Sequence, residues 1–385
     1  MSTALGKEFS KRYGHEPEAI YFCPGRINLI GEHIDYNGGQ VMPAAINRGT
    51  WLAIGRNTDK TLRFQCLNFP ETAALHLQES YTKSGHEWFN FPLGVIDRFL
   101  SEGHDLSGMD LLIYGNLPVA AGLSSSASIE VLTAFALSDL FGIEISRVDI
   151  ALLAKKVENE FIGVNCGIMD QFAVAMGKEK QAMLLNCDTL AHKYIPAAFP
   201  GYTLMIINTN KPRALADSKY NERFSECRLA LQQLQSVFPS NHLCDISPAQ
   251  FETVASFIPD ETVRKRALHV VTENERVKLA AEALAAGRAE EFGALLYASH
   301  RSLKELYEVS GKELDTIVAF AGTFNGCIGA RMTGAGFGGC AIALVKDDRV
   351  NDFKAGLTLD YTVRIGYAPE IFEAEISDGV KKVRP

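Results

Sequence analysis

The sequence predicts an α+β fold built as two domains, and three observations carry that reading. Its 385 residues exceed what one hydrophobic core usually organises. Strand and helix signals alternate irregularly, without the regular βαβ succession of a doubly wound sheet. Near the middle, "PAAFPG" (Pro196 to Gly201) interrupts periodicity with two prolines and a glycine. The division is accordingly set at 1–196 and 197–385.

The elements follow from residue patterns. Tyr21 to Ile30 reads as a strand entering a turn. Thr50 to Arg56, Leu62 to Leu67 and Asp110 to Tyr114 read as strands, apolar or β-branched runs bounded by turn formers. Phe91 to Leu100 and Ser125 to Phe141 have helical periodicity. So does Ser146 to Ile162, where Ile150, Leu153, Val157 and Phe161 form one stripe. Beyond the break, Tyr202 to Asn208 is a strand and Ser218 to Phe238 a helix with Tyr220, Phe224, Cys227, Leu231 and Leu234 on one face. Helices over Asp260 to Ala286 and Ala289 to Leu306 precede a Gly-rich turn and the strand Cys340 to Val345.

Composition narrows the function classes. The apolar fraction is 47%, the charged fraction 22% and the net charge −8, with no dense Lys/Arg block. Nucleic acid and anionic membranes are therefore poor partners. No run of about 18 apolar residues occurs, and the N-terminus lacks an apolar core of signal-peptide length. Eight scattered cysteines, none in CxxC, suit buried thiols in a reducing cytoplasm.

Three stretches carry chemistry. "PGRINLIGEHIDYNGG" (24–39) gathers Arg26, Glu32, His33 and Asp35 around Ile27, Leu29 and Ile30. Ionised groups among core-type residues must be paired or bound to something. Read alone, the segment is a polar turn before Asn37-Gly38-Gly39, with a His-x-Asp metal pair the lesser alternative. "PVAAGLSSSASIE" (118–130) places a glycine and three serines at a helix entry, where unpaired N–H groups and the helix dipole attract phosphate. Plain serine N-capping is the simpler alternative. No lysine completes a P-loop. In "RMTGAGFGGCAIALV" (331–345), Gly334, Gly336 and Gly339 match GxGxxG, but a strand-like run follows where a dinucleotide site needs a helix. A tight hairpin and a backbone loop lying against a ligand both fit. Taken singly, Glu158 reads as a solvated helix charge, Asp170 in "GVNCGIMDQF" as an N-cap or first-turn acid, and Tyr220 as an amphipathic core residue.

Together, and in this order, the three stretches resemble the signature motifs of the GHMP small-molecule kinases, and the first is similar to the galactokinase signature. "NCGIMDQ" and "SKYNER" extend the likeness to nearly the whole chain. The resemblance implies an N-terminal domain like the second domain of ribosomal protein S5, a ferredoxin-like C-terminal domain, and an active site between them. It implies transfer of phosphate from MgATP to the anomeric hydroxyl of α-D-galactose in a cytoplasmic monomer. By motif position, Glu32, His33, Ile34, Asp35 and Tyr220 hold the sugar. Ala120, Ala121, Gly122, Leu123, Ser124, Ser125 and Ser126 wrap the ATP phosphates, and Ser126 with Glu158 binds Mg²⁺. Asp170 is the base, with Arg26 beside it; Cys66 and Trp88 line the adenine pocket.

The sequence departs from the family pattern at Ala120, where glycine is usual, and at Cys66, where serine is frequent. Kinases for N-acetylgalactosamine or arabinose share the acidic turn. A catalytically dead sugar sensor is disfavoured because Ser124 to Ser128, Arg26 and Asp170 are intact.

Overall fold

The computed structural model describes residues 1–118, 121–211 and 216–384. Six strands form the first sheet, in the order Lys381–Arg384, Ala19–Asn28, Pro43–Arg56, Met109–Gly115, Thr61–Cys66 and Ala73–His76. All neighbours are antiparallel except Thr61–Cys66 beside Met109–Gly115. Successive side chains of a strand point to opposite faces, and both faces are covered here. Tyr21 and Cys23 join the main core. Ile20 packs with Ala53 and Leu112 against Leu5 and Phe9 of the helix Ser2–Tyr13. Hence all ten residues of Ala19–Asn28 are buried.

Helices Asn90–Ser101, Ser125–Phe141, Arg147–Val157 and Met169–Met176 pack with one another, and Ser125–Phe141 and Met169–Met176 pack on this sheet. The predicted helix Ser146 to Ile162 is helical as far as Val157, and a π-turn occupies Glu158–Ile162. Such turns frequently mark functional sites. Gln40–Val41, Gln181–Asn186 and His192–Pro196 make a small separate sheet.

Beyond residue 201 the strands run in the spatial order Cys327–Thr333, Cys340–Lys346, Tyr202–Asn208 and Glu370–Ala374, all antiparallel. With the helices between them, the chain order is β, helices, β, β, helix, β, the ferredoxin-like succession. Between the first two of these strands lie Ala216–Leu234, Glu261–Ala285 and Ala289–Ser302 among others. Asp260 caps the second of these helices, its carboxylate accepting from Val263 N at 2.9 Å.

The last strand corrects the simple division at residue 197. Lys381–Arg384 pairs with Ala19–Asn28 at the edge of the first sheet, so the final residues belong with the N-terminal half. A four-residue edge strand, Lys-Lys-Val-Arg, carries little pattern of its own, and its partner supplies the hydrogen bonds. Among the described residues no helix is long and apolar enough to cross a membrane.

Candidate active site

A cavity of about 450 Å³ lies where the two halves meet, and all three sequence motifs reach it. Arg26, Glu32, His33 and Asp35 line it, with Gly122, Ser124, Ser125, Ser126, Glu158, Asp170 and Tyr220, and with Gly334 and Ala335 from the Gly-rich loop.

Arg26 arrives near the end of the strand Ala19–Asn28, just past a register shift between Pro24 and Arg26 that re-aims the side chain. Gly25 fits there because a Cβ would stand 2.6 Å from the Leu123 carbonyl oxygen. The Arg26 guanidinium donates to both oxygens of Asp170, Nε to Oδ1 at 2.8 Å and Nη2 to Oδ2 at 2.6 Å. Its Nη1 donates to the Gly122 carbonyl at 2.6 Å. A bidentate fork of this kind fixes orientation as well as charge. Asp170 does sit in the first turn of its helix, Met169–Met176, but its carboxylate faces the cavity. Ser124 is likewise no plain cap. It precedes the helix Ser125–Phe141 in the left-handed region (φ 62°), and its hydroxyl donates to Asp170 Oδ2 at 2.5 Å.

Glu158 differs most from its single-residue reading. It is buried at the start of the π-turn, not solvated. Its Oε1 accepts from Ser126 Oγ at 2.9 Å, its Oε2 from Gln171 Nε2 at 2.5 Å, and the Cys166 thiol lies 3.7 Å from Oε2. Burial raises its carboxyl above the usual range, and the Asp170 charge adds to that. Glu130, one helical turn beyond Ser126, is fully buried, and burial and the charge of Glu158 push it well up.

In the first motif, Glu32 is buried and spans the halves. Its Oε1 accepts from Gly334 N at 2.7 Å and stands 3.5 Å from Arg331 Nη2, and its Oε2 accepts from Asn28 Nδ2 at 2.8 Å. Burial still raises it, against the lowering effect of Arg331. Asp35 is pushed up to about 7 by burial, then by Glu32 and Asp170. Gly167 lies against it, where a Cβ would come 2.9 Å from Asp35 Oδ2 and shift the carboxylate. Tyr220 is half-buried with its ring centroid 5.6 Å from His33 and 5.4 Å from Tyr36. It faces the cavity from the second half of the chain.

Other predicted residues lie elsewhere. Ile34, Ala121 and Leu123 bury their side chains in the core. Ala120 lies outside the described residues. Cys66 and Trp88 are not in the cavity lining: Cys66 ends a strand of the first sheet, and Trp88 Nε1 donates to the Glu71 carbonyl at 2.9 Å. Conversely, Gln171, Glu130, Arg331 and His269 escaped sequence reasoning. Only Glu130 left a signal, since four residues from Ser126 is the same helix face.

Family models match this chain as the galactokinase galactose-binding signature at residues 7–56, the GHMP kinases N terminal domain at 90–178, and the GHMP kinases C terminal at 280–361. A galactokinase of Clostridium beijerinckii is 48% identical over 382 residues, covering 98% of each chain. The chain belongs to the galactokinase family. A galactokinase of Enterococcus faecalis is likewise 48% identical, with both chains covered in full. Among solved structures, Lactococcus lactis galactokinase complexed with galactose superposes with a TM-score of 0.94 at 44% identity, over 99% of this chain and 100% of that one. A mevalonate kinase at 22% identity and TM-score 0.70 shares the fold. As a galactokinase the chain is an ATP-using kinase, and it carries the GHMP kinase N- and C-terminal domains.

Proposed function

We propose that this chain phosphorylates galactose at its anomeric hydroxyl with Asp170 as the base. The observation that carries the reading is the Arg26–Asp170 fork at the cavity, tied through Gly122 to the phosphate loop. A carboxylate offers about four lone-pair sites. Arg26 and Ser124 take three, two of them on Oδ2, which leaves Oδ1 able to accept the proton of a sugar hydroxyl. Arg26 then stands beside the developing alkoxide. Phosphoryl transfer requires mainly positioning and neutralisation of charge, which this arrangement supplies.

Sugar hydroxyls would donate to Asp35 and Glu32 in charge-assisted hydrogen bonds, with Tyr220 closing the pocket from the C-terminal domain. The backbone of Ala121 to Ser126 at the helix entry would hold the ATP phosphates. Ser126 and Glu158 fit a Mg²⁺ ion. Glu158 is a buried carboxyl whose hydrogen-bond partners are neutral groups, and both residues offer the hard oxygen ligands that Mg²⁺ selects. Bound there, the ion would neutralise phosphate charge. Low cysteine density supports a reducing cytoplasm as its compartment, and we take the working unit as the monomer.

A coupled ADP-release assay over a panel of free sugars tests the substrate. Galactose should give the highest kcat/KM. Preference for N-acetylgalactosamine or arabinose would overturn that choice, and no ADP release with any sugar would overturn the reading as a kinase. Glu158→Gln should raise the Mg²⁺ concentration for half-maximal rate about tenfold or more. An unchanged Mg²⁺ titration would remove Glu158 from the ligand set.

A further inference from the structure

A run of hydrogen-bonded groups leads from His33, in the cavity wall, back into the core, and its ring is committed to the Gly-rich loop. His33 is buried, with its backbone in the left-handed region at φ 63°. Both ring nitrogens are taken: Nε2 lies 3.1 Å from the Ala335 carbonyl oxygen, and Nδ1 lies 2.9 Å from the Tyr36 hydroxyl. A carbonyl can only accept, so Nε2 carries the proton and Nδ1 is the acceptor. The direction of every other bond follows. Tyr36 donates to His33, Tyr307 donates to Tyr36 at 2.8 Å, and the Cys227 thiol donates to Tyr307 at 3.1 Å. Burial, reinforced by neighbouring His269, lowers the His33 ring to about 3, so one fixed tautomer persists at neutral pH.

The far end of this run is tightly placed. Gly334 N donates to Glu32, and a Cβ on Gly334 would stand 3.3 Å from the Gly122 carbonyl oxygen of the phosphate loop. On the other side of Ala335, Gly336 packs on Val309, whose carbonyl accepts from Phe337 N at 2.7 Å. Ala335 is therefore held by His33 at the point where the Gly-rich loop meets the phosphate loop.

We propose that His33 is a positioning residue for the nucleotide: by holding the Ala335 carbonyl it sets the Gly-rich loop against the phosphate loop. The inference rests on the reading that these two loops flank ATP. It makes the first motif a link between the two substrates, because the turn that carries Asp35 also anchors the nucleotide side. Binding free energies coupled in this way are reciprocal.

Calorimetry with Mg²⁺ and a non-hydrolysable ATP analogue, without sugar, tests it. His33→Ala should weaken analogue binding about three- to tenfold, the range for one lost neutral hydrogen bond. His33→Gln places an N–H donor near the position of Nε2 and meets the same left-handed backbone cost as alanine, so it should recover most of the affinity. Galactose added at saturation should alter analogue affinity less in His33→Ala than in the unmodified protein. If the unmodified protein binds no analogue, the nucleotide-site reading fails. If it binds and His33→Ala binds equally well, while only galactose affinity falls, the proposal is overturned. Should His33→Ala not fold, Tyr36→Phe keeps the ring and removes the hydroxyl that fixes the tautomer. It should weaken analogue binding about threefold, and unchanged affinity there would equally overturn the proposal.

Discussion

Asp170→Ala should lose turnover by about 10²- to 10⁴-fold, the usual worth of a positioned general base. Galactose affinity should change far less, since the contacts proposed for the first motif and Tyr220 would be independent of Asp170. Asp170 has a side chain 30% exposed, whereas Arg26 is 6% exposed. Truncation therefore leaves a nearly buried guanidinium with the Gly122 carbonyl as its remaining acceptor. Some stability will go with the activity, so Asp170→Asn provides the cleaner comparison. It keeps the shape and one acceptor for Arg26 but cannot take a proton. Both variants should stay folded by circular dichroism and both should lose kcat. Wild-type-like rates in Asp170→Ala would eliminate the base assignment.

Arg331→Met should destabilise the protein by about 3–5 kcal/mol, the cost of breaking a buried ion pair from one side. Arg331 is completely buried. Its Nη1 donates to the carbonyls of Asn28 and Leu29 at 3.1 and 3.0 Å, and Nη2 faces Glu32. Methionine fills similar volume but leaves two carbonyls and a carboxylate without that cation. Glu32 already suffers from burial with Arg331 present. Adding Glu32→Gln to Arg331→Met should therefore cost less than the sum of the single changes. Denaturant unfolding of the three variants measures this, and a loss below about 1 kcal/mol in Arg331→Met would contradict the argument.

How much of this was legible in advance depended on the range of the interaction. Arg26, Glu32, His33 and Asp35 lie within ten residues, among apolar neighbours that bury them, so an unusual polar cluster showed without any structure. Ser126 and its helix were legible from the serine run, because a helix entry is a local event. The strands Tyr202–Asn208 and Cys340–Lys346 announced themselves by continuous apolar runs. By contrast, the final strand Lys381–Arg384 has no such run and exists through its pairing with Ala19–Asn28.

Glu158 shows the limit most sharply. Three residues after Lys155 on a helix, it had every local reason to point at solvent. The π-turn and the packing of its helix against Met169–Met176 turned it inward, to Ser126 and Gln171. Arg331 and His269 reach Glu32 across about 300 and 237 positions of chain, and no local periodicity encodes such a partner.

The amino-acid order alone thus determined the residue types of the site, the glycines its turns require, and the helix entry suited to phosphate, since each depends on neighbours along the chain. Which carboxylate faces arginine, which faces serine, and which side chain latches the two halves together were decided only on folding. Those choices are matters of distance and burial between segments far apart in the chain, and charge and hydrogen-bond strength follow distance and burial, not order.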